Sequence, residues 1–340
     1  MNESDWRQIL KNHPESNFLQ SPEWAAINER IGHKVIVKDF GDNNFALMIV
    51  KDAKRGRYLE IPGGPLVNWD DESRVKEVFA EIRKIAAENK CVFVRFRPML
   101  ETSDEALKKV AVTGAKPAPF HLHAEHTVIL DIANKTPDEI LAEMRRQTRY
   151  EVRRALKLGM KVERGNSPEL FKKFHEIQAE TAARQHFIPP SMKDLDAYRE
   201  VFGDNVRIYV VSTGDQPDPK NEDVPVNTPV AYGLIILNEN EADYFEAAST
   251  EYNYKVPGAY ALQWQVIQDL KELGIPRYNL WGIAPAGQPN HRYAGVTTFK
   301  TGFGGRKVEY VHAHDLVINR SLYSLDYMVE TIRKKVRHLS

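Results

Sequence analysis

Glu72 to Asn89 reads ESRVKEVFAEIRKIAAEN, and just beyond it Val92 to Phe96 reads VFVRF. In the first stretch Val75, Val78, Phe79, Ile82, Ile85 and Ala86 recur at steps of three and four, the spacing of one helix face. The second is a short unbroken run of the kind buried inside a sheet. Upstream lie three short β-forming stretches at about 33–40, 45–51 and 57–61, rich in Val, Ile, Phe and Tyr, with Gly41-Asp42-Asn43-Asn44 as turn chemistry between the first two. The same order recurs further on: strands at about 206–213, 229–237 and 242–248, a helix from roughly 258 to 273, and a strand from Arg277 to Trp281. Strand, strand, strand, helix, strand therefore occurs twice, over lengths that fit duplicated domains and are far too long for a solenoid repeat.

The expected fold class is α/β (α+β): two tandem units, each a mixed sheet flanked by helices. The boundaries expected are 1–145 for the first unit, with the helix of 318–340 packing back on it, and 146–317 for the second, with substrates in the cleft between them. A first helix is expected over Trp6–Asn12. Ser21-Pro22-Glu23 supplies an N-cap, a proline at the first helical position and an early acid for a second helix ending near Gly32. A further strand is expected at Ala124–Asp131, and the Pro-, Asp- and Asn-rich stretch from Gly214 to Asn227 reads as a long hairpin loop.

Composition narrows the functional classes. At 340 residues the chain exceeds what one hydrophobic core usually supports, and its 42% apolar and 28% charged content is that of a folded soluble protein. The first residues are polar, and no apolar run approaches the roughly 20 residues of a membrane span, so a cytoplasmic location is expected. Cys91, the single cysteine, sits in an apolar stretch and offers neither an internal disulfide nor a metal cluster. His121, His123 and His126 lack a distant matching set of ligands, and no metal or cofactor is expected. Lys plus Arg equals Asp plus Glu, 47 of each, so no global field draws the chain to DNA, and any anion site must be local.

Two segments could carry chemistry. From Arg145 to Lys157 the chain reads RRQTRYEVRRALK, and Arg145, Arg149, Arg153 and Lys157 fall at four-residue steps along one helix face. That stripe fits either a solvated surface or contact with phosphates, whose oxygens match arginine forks. From Gly295 to Gly305 the chain reads GVTTFKTGFGG, a lysine between aromatics with glycines behind it. This fits a simple turn before a strand at Lys307–Val311, or a backbone that approaches a ligand closely.

Five stretches taken in order are specific: Phe18-Leu19-Gln20-Ser21-Pro22-Glu23-Trp24, Arg57-Tyr58-Leu59-Glu60-Ile61-Pro62-Gly63-Gly64-Pro65, Arg149-Tyr150-Glu151-Val152-Arg153-Arg154-Ala155, Asn279-Leu280-Trp281-Gly282-Ile283 and the Gly295–Gly305 segment. Together they resemble the FemABX family of peptidoglycan bridge-forming aminoacyltransferases, from about Phe18 to His312. The resemblance implies two GNAT-like (acetyltransferase-like) domains, an aminoacyl-tRNA donor, and an acceptor amine on the stem peptide of a muramyl-pentapeptide precursor. With no heptad-bearing insertion in the second domain, the chain is similar to the compact members without a coiled-coil arm. The family's phenylalanine–lysine pair beside the aminoacyl ester falls on Phe299 and Lys300, which makes Lys300 the expected catalytic residue: its ammonium stabilises the oxyanion or grips the tRNA phosphate. Arg145, Arg149 and Arg153 join that pair as expected donor contacts. Tyr244 falls on a cleft-lining strand tyrosine, and Glu246, two residues on and so expected on the same strand face, is the candidate proton acceptor.

Departures from the family pattern bear on the acceptor. Where members using the soluble nucleotide-linked precursor carry a lysine, an acid and an arginine, this chain holds Ala26 or Asn28, Arg97 and Pro190. A lipid-linked precursor (lipid II) is therefore favoured over UDP-MurNAc-pentapeptide, which would bring peripheral membrane contact. Arg97, Arg184 and Trp281 are candidate acceptor-side residues, with structural ion pairs an equal reading for the two arginines. Two rivals stay open. One is an N-acyltransferase of the same superfamily using acyl-coenzyme A, whose Gly-rich pyrophosphate loop would stand where Tyr254-Lys255-Val256-Pro257-Gly258-Ala259 has one glycine. The other is a non-catalytic tRNA-binding protein, for which the basic helix offers only Tyr150 as a stacking aromatic.

Overall fold

The computed structural model of the chain describes residues 1–54, 56–185 and 187–336. In chain order the elements are α1 Glu3–Asn12, α2 Pro22–Arg30, β1 Lys34–Gly41, β2 Asn44–Ala53, β3 Gly56–Pro62, α3 Glu72–Glu88, β4 Cys91–Arg97, α4 Asp104–Ala111 and β5 Lys116–Pro117. There follow β6 His126–Asp131, α5 Pro137–Glu143, α6 Arg146–Lys157, β7 Lys161–Gly165, α7 Pro168–Gln185, α8 Met192–Phe202, β8 Val206–Ser212, β9 Pro229–Leu237 and β10 Ala242–Ser249. The last are α9 Gly258–Glu272, β11 Arg277–Asn279, α10 Ala294–Thr301, β12 Arg306–Glu309, β13 His314–Val317 and α11 Arg320–Val336. The chain divides into two compact units, Met1–Glu125 with the chain from Val308 onward, and His126–Lys307.

In the first unit the sheet order is β1-β2-β3-β4-β13-β5. The antiparallel meander β1-β2-β3 is followed by α3 and then by β4, which pairs parallel to β3 from Arg57↔Cys91 to Pro62↔Arg97. Met48, Val50, Leu59, Ile61, Val94 and Phe96 bury one face against Val75, Val78, Phe79 and Ile82, the periodic positions of α3. Burial of apolar surface at roughly 25 cal/mol per Å² is what makes that helix dock. Phe45 and Leu47 face the other way, onto Trp6, Ile9, Leu10 and Ala25 of α1 and α2. Asn2 and Ser21 accept backbone N–H groups at the starts of those two helices, so their ends are satisfied locally.

The second unit repeats the plan. Its sheet order is β12-β6-β11-β10-β9-β8-β7, with β8-β9-β10 as the antiparallel meander, α9 as the following helix and β11 parallel to β10. The loop of 214–227 joins β8 to β9 as the expected hairpin connection. Leu262, Val266, Ile267 and Leu270 of α9 share one core with Tyr209, Val211, Ile235 and Tyr244. On the other side α7 lies on β10 and α8 on β8.

The division between units falls at residues 125/126, earlier than the 145/146 expected from sequence. The reason is that β6 pairs with β11, Ile129 opposite Asn279 and Asp131 opposite Arg277, so it belongs to the second sheet. The later division falls before 317 because β13 pairs with β4. The helix expected at 318–340 is α11, which packs on β4 of the first unit; residues 337–340 lie outside the described residues. Among the described residues no helix is long and apolar enough to cross a membrane.

Candidate active site

The parallel strands of the second unit part company early. β10 and β11 pair at only two positions, Ala242↔Tyr278 and Asp243↔Asn279, after which the chain beyond β11 turns away through Trp281, whose φ of +60° lies in the left-handed region. At the same level β10 carries a bulge: Tyr244 stands opposite Ile235, but Glu246 stands opposite Leu234. A bulge inserts one residue into a strand and re-aims the side chains beyond it. The facing edges of the two strands thus separate into a gap.

Side chains directly opposite on paired strands share a sheet face, and Ile235 and Leu234 face opposite ways. Tyr244 therefore points with Ile235 toward α9, its ring crossing Gly233, where any added Cβ would come within 2.9 Å of Tyr244 Cε2. Glu246 points with Leu234 toward α7, where Gln178 donates to its Oε2 at 2.9 Å. The sequence expectation that Tyr244 and Glu246 share one face is corrected by the bulge at Phe245.

Lys300 enters this gap from α10. The helix is pinned on one side by Phe299 and Phe303, which pack edge-on against each other at 5.1 Å and around Tyr260, and on the other by Thr297, whose hydroxyl accepts the Ala284 N–H at 2.8 Å. Gly302 ends it, accepting the Arg145 N–H at 2.8 Å, and a Cβ there would meet Thr148 Oγ1 at 2.2 Å. Lys300 Nζ donates to the Gly282 carbonyl at 2.8 Å and stands 5.7 Å from the centre of the Tyr244 ring. Of the two readings of the Gly295–Gly305 segment, the simple turn is set aside: up to Thr301 it forms a short helix that delivers a buried amine.

Burial lowers the Lys300 ammonium to about 7, against the pull of the nearby Glu246 carboxylate. Burial raises the Glu246 carboxyl to about 7, opposed by Gln178 and by Lys300. Each group has a neutral hydrogen-bond partner, so neither is locked in its charged form. An acid and a base that both change state near neutrality, close enough for each to feel the other's charge at a break in a sheet, can accept a proton and stabilise a developing negative charge.

Behind the gap lies a polar core that sequence reasoning gave no role. Asn279 Oδ1 accepts the Trp281 N–H at 2.9 Å and the Thr127 hydroxyl, and its Nδ2 donates to Glu241 Oε1 at 3.0 Å. It holds the turn that presents the Gly282 carbonyl to Lys300. Burial raises Glu241, moderated by Arg277 and Asn279; burial and the Glu241 charge lift Asp243 well above the carboxylate range. Trp281 meets Phe245 edge-on at 5.8 Å, and Phe245 meets Tyr198 likewise. The signal for Asn279 was present in the Asn279–Ile283 motif; Gln178, in mid-helix, had none.

The basic stripe is only partly a surface. Arg149 turns back to donate to the carbonyls of Leu141, Ala142 and Met144, closing the C-terminal end of α5. Arg145 and Arg153 are exposed, as is Lys157. Arg184 donates to the Ser249 carbonyl and to Thr181 Oγ1, tying the end of α7 to β10. Arg97 is 1% exposed in the first unit, its guanidinium 5.3 Å from the Tyr310 ring; burial, helped by the Arg97 and Lys51 charges, holds His123 down at about 3. The structure therefore brings Lys300 to Tyr244, to the turn after Trp281 and within reach of the Glu246 charge, while Phe299 packs on Tyr260 and Phe303. It gives Arg149 and Arg184 backbone-tethering roles.

The family model of the FemAB family matches the chain over residues 1–120, 118–214 and 217–331. The chain is similar to the aminoacyltransferase FemA of Staphylococcus aureus (strain MRSA252), with 20% identity over 95% of this chain and 96% of that one. Its fold is similar to the crystal structure of FemX, at a TM-score of 0.84 and 18% identity, covering 96% of this chain and 98% of FemX. The structure of L-PGS from Bacillus licheniformis is a more distant likeness in fold, at a TM-score of 0.58 and 15% identity over 97% of this chain and 96% of that one.

Proposed function

The chain belongs to the FemAB family, as an aminoacyltransferase of peptidoglycan bridge formation, and from that premise we propose that it moves an amino acid from aminoacyl-tRNA onto the stem-peptide amine of a lipid-linked muramyl precursor. The observation that carries this reading is the Lys300–Glu246 pair at the separation of β10 and β11.

The acceptor amine arrives as an ammonium and must lose a proton before it can attack. Glu246 takes that proton. The free amine adds to the ester carbonyl of the donor, a new C–N bond forms, and the carbonyl oxygen becomes an oxyanion beside the Lys300 ammonium. Collapse of the intermediate breaks the ester C–O bond: the tRNA ribose oxygen leaves with the proton that Glu246 returns, and the attacking nitrogen, still carrying two hydrogens and a positive charge after addition, gives one of them up to water to leave a neutral amide. The ester is already activated, so positioning and charge stabilisation suffice. Tyr244 and Phe299 wall the amine side; exposed Arg145 and Arg153 meet the phosphates of the acceptor stem.

The acyl-coenzyme A alternative needs free N–H groups at the start of α9 for a pyrophosphate. There Asn253 Oδ1 already accepts the Ala259 N–H at 2.9 Å, and Lys255 pairs with Asp223. The test is transfer of radiolabelled amino acids from a total aminoacyl-tRNA pool to lipid-linked and to soluble muramyl-pentapeptide, with Lys300→Ala as control. Label in the lipid-linked precursor, lost in the variant, is expected. Label in neither acceptor, with acyl-coenzyme A turned over instead, would sink the reading.

A further inference from the structure

Helix α7 lays one stripe on β10, with Phe171, Phe174, Gln178, Thr181 and Ala182 buried at the spacing of one helix face. Positions on such a stripe suit apolar side chains, because a buried polar atom without a partner costs free energy. Gln178 departs from that pattern. It is 0% exposed, its Nε2 donates to Glu246 Oε2 at 2.9 Å, and among the described residues its Oε1 meets no hydrogen-bond partner. A leucine or methionine would fill the same place without orphaning a carbonyl, so packing does not account for the amide; the bond to Glu246 does.

The distance between helix and strand is fixed independently of that bond. Beyond Gln178, Thr181 Oγ1 accepts the Ser249 N–H at 3.1 Å and Arg184 donates to the Ser249 carbonyl, while Phe171 and Phe174 are buried on the other side of it. Gln178 is therefore carried to the carboxylate by a helix that is already anchored. The groups that feel the Glu246 charge are Lys300 from α10 and Tyr198 from α8, and Tyr198 also feels Asp194 of its own helix; from α7 comes the neutral Gln178. An amide N–H on one carboxylate oxygen favours the ionised form and so opposes the burial that raises this carboxyl. It also occupies Oε2, which leaves Oε1 to take a proton.

We propose that Gln178 is a positioning residue for the transfer reaction, an internal tether that holds Glu246 by one oxygen and presents the other to the acceptor ammonium. This rests on the proposed function in taking Glu246 as the base. The Glu246 carboxyl is first titrated without substrate, by its carbon-13 resonance in the full chain, assigned through its loss in Glu246→Gln. In Gln178→Met, whose unbranched side chain keeps volume and helix propensity, the midpoint should rise by about one pH unit. The kcat/KM of that variant should then fall about tenfold at pH 6 and less than about twofold at pH 8.5, where Glu246 is ionised either way. In a Glu246→Gln background the same substitution should change nothing further, because the tether acts only through that carboxylate. Gln178→Glu keeps the reach and adds a like charge, so it should raise the upper midpoint of the resulting acid pair further still; it carries the test if the methionine variant does not fold. An unmoved midpoint, an equal loss of rate at both pH values, or an added loss in the Glu246→Gln background would each overturn the tether, since a side chain that only packs would give all three. A wild-type chain that transfers nothing would sink the proposed function instead, and the substrate-free titration would still decide the tether.

Discussion

The parallel pair β3–β4 and its counterpart β10–β11 come after the same meander and the same helix, yet one is closed and the other open. In the first unit the pairing runs from Arg57↔Cys91 through Pro62↔Arg97, and β13 then covers the far edge of β4. Arg95 on that sheet meets Asp315 through two bonds of 2.7 Å and Glu330 through two of 2.8 and 3.4 Å, and these outweigh burial so that its charge is strengthened. In the second unit the pairing stops at Asp243↔Asn279, and the buried Lys300 and Glu246 drift toward neutrality from opposite sides. A buried ion pair with all its hydrogen bonds made is structural; one left with neutral partners can still change state. On the proposed function, the duplicated fold gives one copy of the strand pair to stability and the other to chemistry.

The sharpest way to break this contrast is to remove one cation from each unit. Lys300→Ala is expected to cut the transfer rate by about 10²–10³, the usual loss of an oxyanion donor, without lowering the melting temperature at pH 7. Arg95→Ala should do the reverse, destabilising by about 3–5 kcal/mol because Asp315 is left buried without its partner, while the protein that remains folded turns over normally. Equal losses of rate in both variants would mean that the two units do not divide the labour in this way. Lys300→Met tests the same point through stability. A base whose folded value is depressed destabilises the fold below its unfolded value, fully so below about 7, so the substitution should raise the melting temperature more at pH 6 than at pH 10.

Glu246→Gln comes next, with an expected loss of about 10² in kcat. The active form needs Glu246 ionised and Lys300 protonated, so wild-type kcat/KM should follow a narrow bell centred near pH 7, the two limbs belonging to the pair rather than to either residue. In Glu246→Gln the acid limb should vanish. A flat profile between pH 6 and 8 in the wild-type enzyme would show that the pair takes no part in proton transfer. A smaller effect, about tenfold in kcat with KM little changed, is expected for Asn279→Ala, which frees the Trp281 turn and lets the Gly282 carbonyl move away from Lys300. Unchanged kcat there would remove Asn279 from the positioning of the lysine.

The repeated fold was legible because both α3 and α9 and the strands around them carry plain periodic patterns, and the Lys300 segment because a lysine between aromatics ahead of glycines is unusual. The bulge at Phe245 was not legible: Asp243-Tyr244-Phe245-Glu246 alternates like any strand, and only the register against Ile235 and Leu234 turns Glu246 to the opposite face. The unit boundary was hidden for a related reason. β6 comes directly after the first unit in sequence, but its partner β11 lies about 150 residues away, and long-range pairing leaves no local trace. Arg97 and Arg184 show the limit of composition, since a basic residue on a strand or helix reads the same whether it meets a ligand or its own fold.

The basic helix gives the finest test of that last point. Arg149 and Arg153 are one turn apart on α6 and are indistinguishable by spacing, yet Arg149 donates to three carbonyls at the end of α5 while Arg153 is exposed. Arg149→Ala should therefore cost about 1 kcal/mol of stability, read as a lowered denaturation midpoint, and leave tRNA affinity unchanged. Arg153→Ala should leave stability unchanged and weaken tRNA binding only modestly, while making the logarithm of affinity fall less steeply with salt by about one counterion. The opposite assignment, a salt slope that changes with Arg149 and not with Arg153, would mean that α5 releases its arginine when tRNA binds, and the helix would then be a ligand face along its whole length.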